Sequence, residues 1–207
     1  MKIVFRGVLK SVQPRIRLIR SFDEASHNYL GYALLFAGVI GEEQMSFSVG
    51  IGKAAQAKHL FRVGDEASGE CLPVADKRLE TVAFYKVSKL KKVGSADIAG
   101  KKPPPWEDIA PGLETYRNRG RRRLSARTYD SKCLSCIWGC RMPVEIIVDH
   151  WNPGQREYRF ETFCYGPLSC KFYKAGPTRK VPGRKGMVYE EEDWVDEEAT
   201  SHREGEE

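Results

Sequence analysis

Gly50-Ile-Gly-Lys-Ala-Ala-Gln-Ala-Lys-His-Leu-Phe61 is the stretch on which the fold of the first half turns. Its Ala-rich centre favours a helix of about two turns, whereas everything around it reads as strand. Moving outward, residues 45–49 alternate as a strand, Gly41-Glu42-Glu43 makes a turn, and residues 30–40 form the strand before it. Still earlier, residues 3–12 pass through Gln13-Pro14 into 15–20 as one long strand, with Pro14 tolerated at a bulge or an edge. On the other side Val63-Gly64-Asp65 turns the chain into a strand at 67–74, followed by another at 81–87. The helix therefore falls between the third and fourth of five strands.

That β-β-β-α-β-β order resembles the OB-fold, a small Greek-key barrel, over residues 1–93. The resemblance implies an oligonucleotide-binding face on strands two and three, where cations track phosphates and aromatic rings stack bases at about 1–3 kcal/mol each. The residues on offer are Arg15, Arg17 and Arg20 for phosphate, with Tyr29, Tyr32, Phe36 and Phe47 as flat surfaces. Alternation puts Tyr32, Leu34 and Phe36 on one face, so if one of them fills the core all three do. The Gly50-Ile-Gly-Lys53 turn adds a candidate anion contact at Lys53, although it lacks the spacing of a nucleotide-hydrolase loop.

The second half is organised by cysteines. Cys133-Leu-Ser-Cys136 and Cys164-x5-Cys170 flank a hairpin in which residues 144–150 and 158–163 are strands joined by Asn152-Pro-Gly154. Two tight turns at the open end of a hairpin bring four thiolates to one point, the tetrahedral set a Zn²⁺ ion takes. Cys140 opens a rival, because C-x2-C-x3-C with Cys164 or Cys170 also suits an iron–sulfur cluster. A group of metal-free thiols or disulfides is the third possibility. His150, at the end of the first hairpin strand, is an alternative ligand, and Cys71 reads as a small buried apolar residue. Residues 130–176 resemble a zinc ribbon, although C-x5-C departs from the commonest spacing of that module. The phrases Cys136-Ile-Trp-Gly-Cys-Arg141, Phe163-Cys-Tyr-Gly-Pro167 and Gly176-Pro-Thr-Arg-Lys-Val-Pro-Gly-Arg184 are similar to those of an uncharacterised prokaryotic family, a resemblance that brings no activity with it.

Charge is unevenly distributed. The chain has 34 Lys and Arg against 28 Asp and Glu, and ten of the acids but one Arg fall in residues 188–207, so 33 face 18 in residues 1–187, a formal +15. A basic body of this kind suits a polyanion. Its densest run is Arg117-Asn-Arg-Gly-Arg-Arg-Arg123, which contributes Arg117, Arg119, Arg121, Arg122 and Arg123. Arg179, Lys180 and Arg184 follow the ribbon. The expected division is an OB-fold domain at 1–93, a Pro-rich and basic linker at 94–129, a metal module with a basic arm at 130–187 and a disordered acidic tail at 188–207.

The expected protein is thus mainly β: a five-stranded barrel with one short helix, a small zinc-ribbon-like hairpin and a disordered tail. It reads as a cytoplasmic binder of RNA or another nucleic acid, without a membrane segment, since residues 29–40 are too short to span a bilayer. The four histidines are scattered outside any nucleophile or metal-hydrolase motif, so an enzyme is not expected. Two alternatives stand beside this reading: a module docking on a protein or ribonucleoprotein complex through its Trp residues, and an iron–sulfur redox protein.

Overall fold

The computed structural model describes residues 2–95, 102–152 and 154–203. The architecture is mainly β, with an eight-stranded sheet, a two-stranded sheet and a few short helices. Period-two alternation opens β1 (Ile3–Arg20), where Phe5, Gly7 and Leu9 are buried while Val4, Arg6, Val8 and Lys10 face outward. β2 (Ala25–Ile40) runs antiparallel along it from Phe5↔Ile40 to Arg20↔Ala25. β3 (Glu43–Ile51) returns along β2, and α1 (Lys53–His59) follows. The helix ends where Leu60 takes a left-handed conformation and its N–H donates to Gln56 O at 2.8 Å.

β4 (Glu66–Pro73) pairs antiparallel with the first part of β1, and β5 (Phe84–Gly94) pairs antiparallel with β4. β5 then meets β3 in parallel at one pair, Val49↔Phe84. Hydrogen bonding thus passes from β1 to β2, β3, β5 and β4 and back to β1. Inside this cycle Phe36 lies 5.4 Å from both Phe5 and Phe47, ring centre to ring centre. Gly31 permits the cycle's sharpest contact: its φ is +132°, and a Cβ there would lie 2.0 Å from Ile51 O.

β5 spans 84–94 rather than 81–87. Its register against β4 breaks three times, and Lys86 and Lys89 adopt φ of 52° and 51°. Such bulges spoil the alternation by which a strand is read, and four lysines at 86, 89, 91 and 92 mask what remains.

The second half comprises α2 (Leu113–Arg119), β6 (Arg122–Arg123), α3 (Ala126–Thr128) running into a π-turn at Tyr129–Cys133, β7 (Gly139–Ile147) and β8 (Arg156–Cys164). β7 and β8 form the expected hairpin, from Gly139↔Cys164 to Ile147↔Arg156, and β6 pairs with β8. β7 also lies parallel to the end of β1, through Leu18↔Val144, Ile19↔Glu145 and Arg20↔Ile146. The strand cycle and the hairpin share β1 and one apolar core, in which Leu9, Ile16 and Phe36 are continuous with Met142, Val144 and Phe163.

β9 (Arg179–Pro182) falls in the expected basic arm and pairs with β10 (Val188–Glu191), which leads into α4 (Asp193–Thr200) and a 3-10 turn at Ser201–Arg203. The acidic segment expected to be disordered is therefore ordered as far as Arg203, because its carboxylates meet buried arginines. Gly120 marks how closely it packs: with φ +70°, a Cβ there would lie 2.0 Å from Ala199 O. Residues 96–101 of the expected linker and 204–207 of the expected tail lie outside the described residues. Among the described residues no helix is long and apolar enough to cross a membrane.

Candidate metal centre and charged surfaces

The hairpin register sets Gly139 opposite Cys164 and thereby brings the two cysteine turns together. In the first, Cys136 N donates to Cys133 O at 3.0 Å and Gly139 N to Cys136 O at 3.1 Å; in the second, Cys170 N donates to Pro167 O at 3.2 Å. Cys133, Cys136, Cys164 and Cys170 line one cavity of about 10 Å³, walled by Trp106 and Trp138. That is close to the space of a single water molecule. All four thiols are free, and three of them are buried.

Cys140 goes elsewhere. It alternates with Met142, Val144 and Ile146 on the core face of β7, and its Sγ donates to Pro14 O at 3.4 Å. The same alternation is visible in the sequence and marks Cys140 as a core residue. His150 is exposed at the far end of the hairpin.

Burial pushes the Cys133 thiol up to about 12 and Cys136 up to about 11, so the thiolate form needs a compensating cation. Some of that compensation is built in. Gly166 N donates to Cys164 Sγ at 3.4 Å, Arg122 draws the Cys164 pKa downward, and backbone amides at Trp138 and Trp106 do so for Cys136. Among the described residues no three His, Cys, Asp or Glu side chains already stand in metal-holding positions. Ligation would require the four sulfurs to turn toward the centre of the cavity they line.

Gln13, a residue without any warning in the sequence, fastens the first turn to β1. Its buried Nε2 donates to Cys133 O and Cys136 O, each at 2.9 Å, and its Oε1 accepts from Tyr129 Oη at 2.6 Å. The second turn is fastened by arginines. Arg119 Nε donates to Tyr165 O at 2.8 Å, Arg203 Nη1 to Gly166 O at 3.0 Å and Arg122 Nη2 to Pro167 O at 2.9 Å.

The arginines expected to form one basic surface are largely spent inside the protein. Arg123 is fully buried: its backbone N and its Nε each donate to Asp196 at 2.9 Å, its Nη1 to Glu191 O at 2.7 Å, and Asp193 pairs with Nη2. Arg20 is buried against Glu191 at 2.9 Å, and Arg121 approaches the same carboxylate at 3.7 Å. Arg179 pairs with Glu161 at 3.1 Å and stacks 4.2 Å from the Phe163 ring centre. Arg15 and Arg17 share a face of β1, and both grip Glu80. Arg119 and Arg122 also stack on Trp138 and Tyr173. Arg117 remains exposed, beside Glu114 and over the ring of half-buried Tyr29. Lys180 and Arg184 are exposed but paired with Glu190 and Asp149. Lys53 is exposed at the start of α1. The partners of these arginines lie far along the chain, at Glu80 for Arg15 and Arg17 and in the acidic segment for Arg20, Arg121 and Arg123, where sequence spacing gives no hint of them.

The expected stacking face is also different. Tyr32, Phe36 and Phe47 are in the core. The opposite face of β2 and β3 presents Ala33, Leu35 and Ser48, which border a cavity of about 200 Å³ closed on its other side by Tyr129, Leu134 and Arg141.

Exposed positive charge is instead carried by lysines along α1 and β5. Lys53, Lys58 and Lys91 have no carboxylate partner among the described residues, and Lys86 lies over the ring of Tyr85 with its Nζ 5.0 Å from the ring centre. Comparisons with protein-family models, with curated proteins and with solved structures returned no match to this chain.

Proposed function

We propose that the chain is a nucleic-acid-binding protein whose first ligand is single-stranded RNA. In this reading the five-strand cycle is an OB-type barrel and the cysteine hairpin is a zinc ribbon that holds the protein together. One observation carries the functional part: Arg20, Arg123 and Arg179 are neutralised internally, whereas Lys53, Lys58, Lys86 and Lys91 on α1 and β5 have no carboxylate partner among the described residues. A protein that needed its cations for packing alone would have little use for an unpaired lysine-rich rim. Binding of labelled single-stranded RNA, followed by fluorescence anisotropy as salt rises, tests the reading. A steep fall in affinity with salt is expected; no binding at low salt rejects it.

Zinc is supported over an iron–sulfur cluster by the position of Cys140, whose thiol faces Pro14 O outside the four-cysteine cavity. Four thiolates from Cys133, Cys136, Cys164 and Cys170 would complete the ion's tetrahedron and exclude water from it, so the ion's contribution would be structural. Elemental analysis should find one equivalent of zinc in the wild type and in Cys140→Ala, and none in Cys136→Ser. Iron and sulfide in colourless zinc's place would overturn the assignment.

A second reading, docking on a protein or ribonucleoprotein complex, is favoured by Trp151, which is 83% exposed beyond the end of β7. Capture of a partner that survives nuclease treatment and is lost in Trp151→Ala would support it.

A further inference from the structure

α1 and β5 do more than carry lysines; they enclose a trough. β3 and β5 share a single ladder pair, Val49↔Phe84. Beyond it β3 turns into α1, while β5 departs through the bulges at Lys86 and Lys89, and an open groove of about 770 Å³ lies between them. Its cations are Lys58 from α1 and Lys86 and Lys89 from β5, with Arg15 at its floor. No Asp or Glu lines it, and the carboxylate nearest in chemistry, Glu80, is already held by both Arg15 and Arg17. Lys89 reaches Glu70 at 2.6 Å yet stays 74% exposed, so that pairing is weak against solvent and exchangeable for another anion. Tyr85 adds a flat ring beside the lysines.

The backbone gives an independent pointer. Lys86 and Lys89 are both in the left-handed region, which costs a non-glycine residue about 1–2 kcal/mol. Neither is a residue type favoured there, and both residues border the same groove. Strain concentrated at two bulges whose lysines border one trough, with Lys89 able to exchange its exposed Glu70 contact for an anion there, is the pattern of a binding site rather than of a strand end.

We infer that this groove seats the sugar–phosphate backbone of single-stranded nucleic acid, with Lys58, Lys86 and Lys89 on successive phosphates and Tyr85 under a base. The inference rests on the nucleic-acid reading above and moves its site away from the β2–β3 face and the arginine run. An open, acid-free trough suits an extended polyanion better than a compact metabolite, which would be enclosed on more sides.

The test compares the full-length wild type with Lys58→Gln/Lys86→Gln/Lys89→Gln and with an Arg117→Gln/Lys180→Gln control, using labelled single-stranded RNA and DNA of one sequence. All substituted side chains are exposed, and circular dichroism checks that each variant is folded. The triple variant should bind about a hundredfold more weakly at 50 mM salt and show a log–log salt slope lower by about 2; the control should change little. If the wild type binds and the triple variant binds equally well with the same slope, the groove is not the site although the general reading survives. If the wild type binds neither strand at low salt, the general reading falls and this inference with it. Equal displacement by a polyglutamate peptide and by RNA would replace the nucleic acid with an acidic protein partner and overturn the assignment. Tighter binding of RNA than of DNA would identify the source of the phosphates.

Discussion

Two regions of the molecule use positive charge in opposite ways. In the seam where β6, β8 and β9 meet the C-terminal segment, Arg20, Arg123 and Arg179 are buried and each is held by carboxylates or carbonyls. On the rim formed by α1 and β5, Lys53, Lys58, Lys86 and Lys91 are exposed. The difference follows from the side chains. Guanidinium is planar, weakly hydrated and able to donate along several directions at once, so it survives burial when surrounded by acceptors. An ammonium is compact and strongly hydrated, and it stays where water or a phosphate can reach it. A count of basic residues therefore overstates the surface available to a polyanion.

The comparison can be broken most severely by removing residues 188–207. Deletion strips Glu191, Asp193 and Asp196 from arginines that stay buried, and the truncated chain should unfold at much lower denaturant concentration than the full chain. A truncated protein of unchanged stability that binds RNA more tightly would make the segment a detachable mask and not part of the seam. Next in size is Arg123→Ala, which leaves Asp196 without its main partner and should cost about 3–5 kcal/mol in denaturant unfolding. Lys86→Ala should change stability by no more than about 0.5 kcal/mol. Equal costs would dissolve the distinction between the two regions.

A smaller effect sharpens it at the cysteine turn. Arg122→Gln loosens the carbonyl of Pro167, and the affinity of the proposed site for added zinc, measured by competition with a chromophoric chelator, should fall about 10–100-fold. Unchanged affinity would confine the seam to a packing role.

A pH-dependent effect concerns His27, which feels the charges of Arg20, Arg121 and Glu191. Burial first, and then the two arginines, hold its pKa down to about 3 from the ordinary 6.5. The folded state therefore keeps it neutral. Its contribution is fully present above pH 6.5 and is lost as pH falls toward 3. Between pH 6.5 and 4.5, before carboxylates dominate, the melting temperature of His27→Gln should fall less steeply than that of the wild type. Parallel curves would show that the imidazole does not titrate with folding.

Much of the strand order was legible because alternation and the Ala-rich helix are local signals: Phe5, Leu9, Leu34 and Phe36 alternate inward as a half-buried sheet requires. β5 was legible only in part, since the bulges at Lys86 and Lys89 interrupt the period. The cysteine cavity was readable from two turns and a hairpin, and Cys140 could have been set aside by its alternation with Met142 and Val144. The arginines were not readable in this way. Arg123 finds Asp196 at a separation of 73 residues, and Gln13 finds Cys133 at 120; no local pattern records such distances.

β1 has a further consequence when the chain is considered as it is made. Leu18 pairs with His27 on one edge and Val144 on the other, so this second edge of β1 must wait for 126 more residues, from 18 to 144, before its partner exists. At ordinary rates of synthesis that delay is on the order of ten seconds. Throughout it, the unmatched edge carries Arg17 and Arg20, charges of the kind that keep nascent strands from joining those of neighbouring ribosomes. In the folded protein Arg20 is drawn into the interior against Glu191, 171 residues further along the chain.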